Sequence, residues 1–245
     1  MGKADWFSTW FDSPYYHILY SSRDDREAQD FIQSLQAYLS IPKEAFVLDA
    51  ACGKGRHAKT LQQLGLNVEG FDLSPSNIQE ANKLSNTHLH FFVHDIREAL
   101  PRKGQYDVVF NFFTSFGYFD DPADNARAFQ TFAGGLKSQG TMVMDFLNPT
   151  YVVANLVSEE SIQREHIQFH IKRWESKGFL YKSISFEDQG KEYHFQEKVE
   201  LISKEDFLGY AEQAGLQFLN LAGDYSLSKF DKETSPRMIF FWGKP

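Results

Sequence analysis

Asp49-Ala50-Ala51-Cys52-Gly53-Lys54-Gly55-Arg56-His57-Ala58 follows the apolar run that starts at Ala45 and precedes a helical pattern from Arg56 to Leu64. The order is buried strand, glycine turn, helix. Gly53 and Gly55 tolerate positive φ and let a ligand approach the backbone, and the helix behind them presents free N–H groups. Gly53 to Ala58 also fits the dinucleotide-binding spacing that ends in Ala, so the loop alone does not choose a cofactor.

The same alternation recurs on both sides of this stretch. A helix reads from about Arg23 to Leu39 and ends at Ile41-Pro42. Strands read at Asn67–Phe71, His88–Val93, Tyr106–Phe112 and Thr141–Leu147. Ser74-Pro75 and Asp121-Pro122 open helices between them, a polar cap followed by Pro at the first helical position. Strands separated by helices imply a doubly wound, mostly parallel α/β sheet. From Ile162 to Leu201 the period becomes two, with Tyr193, Phe195, Glu197, Val199 and Leu201 in one row. That stretch reads as a three-stranded antiparallel meander inserted after the fifth strand. Ser203 with Asp206 forms a capping box for one more helix, and Phe218–Leu221 and Met238–Trp242 are the last strands. The expected organisation is a single domain over 1–245, with an aromatic, irregular N-terminal lid segment at 1–22 and the insertion at 160–202.

Composition narrows the function. The 245 residues are 42% apolar and 24% charged, which supports a packed core rather than global disorder. A net charge of −8 disfavours nucleic acid as a partner, since phosphate contact rewards a basic face. One cysteine, Cys52, cannot form an internal disulfide and fits a reducing compartment. Neither a secretory leader nor an apolar run of membrane-spanning length is read, so the expected setting is cytoplasmic and no membrane partner is expected.

Carboxylates at successive strand ends carry the decision. Asp72, 19 residues after Gly53, can accept from ribose hydroxyls and suits NAD equally. Asp49, beside the glycine turn, would repel a pyrophosphate and favour an ammonium. Asp95, between His94 and Ile96, can accept from an adenine amine. With Val47-Leu48-Asp49-Ala50-Ala51-Cys52-Gly53-Lys54-Gly55, Glu69-Gly70-Phe71-Asp72-Leu73-Ser74 and His94-Asp95-Ile96, the chain resembles the class I S-adenosylmethionine-dependent methyltransferases, loosely those acting on sugar amines and glycine. The resemblance implies a seven-stranded sheet of order 3-2-1-4-5-7-6 with an antiparallel seventh strand, S-adenosyl-L-methionine as cofactor, and a small-molecule acceptor. It implies that Asp49 and Gly53 face the methionine moiety, Asp72 the ribose, and Asp95 and Ile96 the adenine; Leu73 is expected to pack against the adenine face, and Ala51 and Gly55 are further cofactor-binding candidates.

Further candidates are Asn111 at the fourth strand's tip and Tyr16 and Arg23 for the cofactor, with Tyr20, Phe113 and Tyr118 lining the acceptor pocket. Candidates for a base are His17 and Tyr118, then Asp120. Cys52 has no base beside it in the sequence and reads as packing. His88 and His90 share a strand face by simple alternation, so no metal is assigned. A homodimer is compatible with the insertion. The alternatives are an NAD-dependent oxidoreductase and a non-catalytic cofactor-binding scaffold.

Overall fold

The computed structural model describes residues 6–21 and 25–245. Helices α1 (Trp6–Phe11), α2 (Pro14–Leu19) and α3 (Asp25–Leu39) come first. The alternating part runs β1 (Phe46–Ala50), α4 (Arg56–Gln63), β2 (Asn67–Asp72), α5 (Pro75–Ala81), β3 (Leu89–Val93), β4 (Tyr106–Asn111), α6 (Pro122–Gly135) and β5 (Leu136–Leu147). Then come α7 (Pro149–Ala154), the inserted strands β6 (Glu159–Arg164), β7 (Ile167–Ser176), β8 (Phe179–Asp188) and β9 (Lys191–Glu200), and finally α8 (Lys204–Gln213), β10 (Gln217–Ala222) and β11 (Arg237–Gly243).

The main sheet has the order β10-β11-β5-β4-β1-β2-β3. Strands β1 to β5 pair in parallel, while β11 is antiparallel to both β5 and β10. This is the expected topology. Both faces of the sheet are covered, which explains its near-continuous apolar strands. Along β11 the alternation divides the core. Met238, Phe240 and Trp242 pack on the side of α6 and α8 with Phe129, Phe146 and Phe207, whereas Ile239 and Phe241 join Phe31, Val47 and Phe110 on the other side. Much of the phenylalanine surplus is therefore core filling.

The inserted sheet has the order β6-β7-β8-β9, four antiparallel strands rather than three. The additional strand, β6, is an edge whose sequence Glu-Glu-Ser-Ile-Gln-Arg has one aliphatic residue, so periodicity hid it. One face of this sheet buries Phe169, Ile171, Ile184 and Phe186 against Trp10 and Leu19 of the N-terminal helices. The segment expected to be irregular is thus two short helices held by tertiary packing. Its polar ties reach in two directions. Tyr15 Oη donates to Asp188 on β8 (2.9 Å), and Asp12 accepts from Ser74 and Ser76 at the start of α5. Two further differences are local. β5 begins at Leu136, directly after α6, and α7 forms where no helix was expected, capped by Asn148 with Pro149 behind it.

Two glycines near the first turn are set by one ring. A Cβ on Gly70 would lie 2.8 Å from Phe91 Cδ1 and 3.0 Å from Cys52 Sγ, and a Cβ on Gly55, at φ +81°, would lie 2.6 Å from Phe91 Cζ. Gly70→Ala should therefore cost about 1–3 kcal/mol by overpacking. Urea unfolding of Gly70→Ala, Phe91→Leu and the double variant checks this: the two costs should be strongly non-additive, and simple additivity would exclude the ring contact as the cause.

Candidate functional site

The strand order reverses beside β1, where the chain goes to β2 and β3 on one side and to β4 and β5 on the other. Open sheets bind ligands at such a point, beyond the carboxyl ends of the strands. A cavity of about 470 Å³ lies there. Its floor is Ala51 to Lys54, Arg56 and His57 after β1, Asp72 to Ser74 with Asn77 after β2, and His94 to Ile96 after β3. The β4 side supplies Phe113, Ser115, Tyr118 and Phe119, and the cover comes from Trp6, Phe7, Phe11, Tyr16, His17 and Tyr20 with Glu197 and Val199 of β9.

Asp72 ties two loops together. Its Oδ2 accepts the Gly53 N–H at 2.8 Å, its Oδ1 accepts the Ser74 N–H at 2.9 Å, and Asn77 Nδ2 stands 3.4 Å from Oδ1. Ser74 caps α5 by accepting from the Asn77 N–H at 3.0 Å, with Pro75 preset for the first turn. Burial raises the Asp72 pKa against these hydrogen bonds. Asp95 is held in a bidentate pair by Arg97, Nε to Oδ1 at 3.0 Å and Nη2 to Oδ2 at 2.6 Å, and accepts the Arg97 N–H at 2.9 Å. Burial pushes its pKa up, but the bonds from Arg97 outweigh it and keep the carboxyl below its ordinary value.

Beyond Asn111, Phe113 and Thr114 both take left-handed backbone, at φ 57° and 59°. Asp145, fully buried, holds them: its Oδ2 accepts the Phe113 N–H at 2.9 Å and its carbonyl accepts the Thr114 N–H at 2.9 Å. Arg237 Nε donates to Asp145 Oδ1 at 2.7 Å. The strained turn aims Phe113 at the loop after β1, where His57 stacks on it with centroids 4.9 Å apart and the Arg56 guanidinium lies 5.3 Å over its ring.

Most of the expected residues converge on this cavity: Ala51, Gly53, Asp72, Leu73, Asp95, Ile96, Tyr16, Tyr20, Phe113, Tyr118 and His17 all line it. Asp49, Gly55 and Asn111 do not. Asp49 lies beneath the loop, 1% exposed, accepting the N–H of Ala58 in the first turn of α4. Gly55 is the left-handed N-cap of α4. Asn111 donates to Ala50 O at 3.0 Å, joining the tips of β1 and β4. Arg23 lies outside the described residues. The candidate bases are placed poorly for that role. His17 stands beside Asn77 and Lys54, Tyr118 Oη donates to the Thr114 carbonyl, and exposed Asp120 pairs with Lys198 at 2.6 Å outside the cavity wall. Cys52 is buried, and burial with Asp49 and Asp72 nearby pushes its thiol pKa well up, against a nucleophilic role.

Sequence reasoning missed Asn77, Ser115 and Glu197, and within the aromatic lid segment at 1–22 it singled out no residue of α1. For Glu197 a signal existed: a carboxylate in an otherwise apolar row of an alternating strand.

The rim is polar enough for a nucleoside carrying an amino acid. Asn77 Oδ1 and His17 Nε2 on the cavity lining, and Asp49 Oδ2 and Asn111 Oδ1 behind it, are buried with no hydrogen-bond partner among the described residues. Such groups cost roughly 1–3 kcal/mol each, a cost a polar ligand can relieve directly or by shifting the loops.

Burial raises the Asp49 pKa to about 8, with the nearby Asp72 charge adding to it. The acid is thus neutral in the folded protein at neutral pH and ionised in the unfolded chain. Its contribution to stability is complete below the ordinary value of 3.8 and is lost as pH rises through about 8. Thermal melting of the ligand-free protein should fall over that window, and Asp49→Asn should flatten the decline. An unchanged slope in the variant would mean that Asp49 is ionised in the fold.

A family model described as a methyltransferase domain matches residues 47–140, the part that builds the floor of the cavity. The YqeM protein of Bacillus subtilis (strain 168) is 28% identical over 134 residues, 53% of this chain and 54% of that protein, so the match spans about half that relative's length. A dTDP-3-amino-3,6-dideoxy-alpha-D-glucopyranose N,N-dimethyltransferase of Streptomyces fradiae is 25% identical over 201 residues, 78% of this chain and 76% of that one. Among solved structures, an S-adenosylmethionine-dependent methyltransferase from Clostridium acetobutylicum ATCC 824 superposes with a TM-score of 0.78 at 21% identity, covering 94% of this chain and 96% of that chain. These findings lend no support to the oxidoreductase or scaffold alternatives. The strand order and the glycine-turn rim lie on the same stretch as the match to the methyltransferase-domain model, and together they support a class I S-adenosylmethionine-dependent methyltransferase.

Proposed function

We propose that this protein transfers a methyl group from S-adenosylmethionine to a small-molecule acceptor inside the covered cavity. The observation that carries the reading is the placement of Gly53, Asp72 and Asp95 along one rim of a single cavity roofed by aromatic side chains. The Streptomyces fradiae relative, named for an amino-sugar substrate, supports an acceptor of metabolite size.

In this reading Asp72 receives the ribose hydroxyls, while Leu73 and Ile96 enclose the adenine with Asp95 at its amine edge. The loop from Ala51 to His57 takes the amino-acid portion, with Lys54 and Arg56 as counter-charges for its carboxylate. Asp49, beneath that loop, acts on the ammonium only through the loop. His17, whose pKa is lowered by burial and then by Lys54, stays neutral and closes over the nucleoside end rather than serving as a base. The bound cofactor supplies a methyl group on a positively charged sulfur that leaves as a neutral thioether. What remains for the chain is alignment and exclusion of water, and alignment alone can contribute roughly 7–11 kcal/mol. The N-terminal helices suit this task. Pinned to α5 by Asp12 and to the inserted sheet by Trp10 and Tyr15, they bridge the cavity as a lid.

Isothermal titration should show binding of S-adenosylhomocysteine, and Asp72→Asn should weaken it about tenfold or more by removing a charged acceptor. NADH should leave the melting temperature of the wild-type protein where it was. Stabilisation by NADH without binding of S-adenosylhomocysteine would reverse the assignment.

A further inference from the structure

The cavity has two chemically different ends. At the β2 and β3 end its acidic groups are engaged, Asp72 by loop N–H groups and Asp95 by Arg97. The lining cations Lys54 and Arg56 belong to the loop after β1. The opposite end lies on the β4 side, where β9 descends onto the loop carrying Tyr118: the Glu200 N–H donates to the Gly117 carbonyl at 2.8 Å. Here the wall is aromatic and aliphatic, formed by Trp6, Phe11, Tyr20, Tyr118 and Val199, and it contains one acidic side chain, Glu197.

Glu197 is fixed in place. Its Oε1 accepts from Trp10 Nε1 at 2.7 Å and from Tyr20 Oη at 2.7 Å. Its Oε2 makes no hydrogen bond among the described residues. Lys182 stands opposite Glu197 in the β8–β9 pairing, donates to Tyr20 Oη and lies 4.5 Å from that ring's centroid; it is not among the residues that line the cavity. Arg97, near Phe7 and Phe119 on the far side of the roof, is occupied by Asp95 and Asp124. A carboxylate with a free oxygen among aromatic faces attracts an organic cation and repels phosphate or carboxylate groups.

We infer that Glu197 is the recognition group for the methyl acceptor and that the acceptor is a small aliphatic amine, bound as its ammonium. This rests on the reading of the cavity as a methyltransferase site. The acceptor nitrogen releases one proton to solvent water and forms the N–C bond as the methyl–sulfur bond breaks, its electron pair remaining on sulfur. The product is again a singly charged ammonium that Glu197 balances, so one carboxylate serves the amine before and after transfer.

The test uses the whole chain, wild type and Glu197→Gln, which keeps an oxygen for Trp10 and Tyr20 but loses the charge. S-adenosylhomocysteine probes the cofactor end. Transfer of labelled methyl is measured to glucosamine, ethanolamine and a dTDP-linked amino sugar, each beside its hydroxyl counterpart. Label should enter amines and not their hydroxyl partners. Glu197→Gln should raise KM for the amine about tenfold or more, leave kcat within about threefold, and keep S-adenosylhomocysteine affinity within about twofold. Methylation of the hydroxyl compounds, of no amine in the set, or an unchanged KM in the variant would overturn the inference while leaving cofactor binding intact. If the variant loses S-adenosylhomocysteine binding or melts early, Glu197 is a structural tie and the inference also fails. Failure of the wild type to bind S-adenosylhomocysteine would instead remove the underlying reading.

Discussion

Everything at the site depends on the reversal of strand order at β1. The loops that follow β1 and β4 diverge to opposite sides of the sheet, and neither can fill the crevice between them. The chain then holds that crevice open with a few strong polar contacts. Asp72 receives one N–H from the loop after β1 and one from the loop after β2, so a single carboxylate fixes the relative height of two loops. On the other side the buried Asp145–Arg237 pair secures a turn with two consecutive left-handed residues. Breaking such a pair by removing one partner typically costs about 3–5 kcal/mol, which is ample to hold that turn in its strained form.

The cover is built differently. α1 and α2 are each six residues long, too short to persist alone, and they owe their order to contacts with the inserted sheet and α5. Their aromatic residues serve two surfaces at once. Trp10 is core for the insertion, while Tyr16 and Tyr20 face the cavity. A change in the inserted sheet would therefore reach the cavity through packing, and the position of Glu197 on β9 makes that sheet part of the site.

Much of this was legible in the sequence because it rests on local signals. Strand, glycine turn and helix at Val47 to Ala58 and the capping signatures at Ser74-Pro75 and Asp121-Pro122 place β1, α4, α5 and α6 without tertiary knowledge. The misses have a common cause. α7 carries the same signature, Asn148-Pro149, but is short and has no apolar stripe. β6 is a polar edge strand that pairing alone creates. Asp49 and Asn111 looked like ligand contacts because they sit at strand tips, yet sequence position cannot tell whether a side chain at a tip points over the rim or under the loop. Asp49 caps α4 from below, and Asn111 staples β1 to β4. Glu197 is the reverse case, distant in sequence and brought to the site only by the fold of the insertion.

A crystal structure with S-adenosylhomocysteine bound would show directly how the cavity is used. The nucleoside should lie between Asp72 and Asp95 with its base against Leu73 and Ile96, and the sulfur should face the aromatic end that holds Glu197. A ligand seated elsewhere, or one whose sulfur points away from that end toward the sheet, would rule out this use of the cavity.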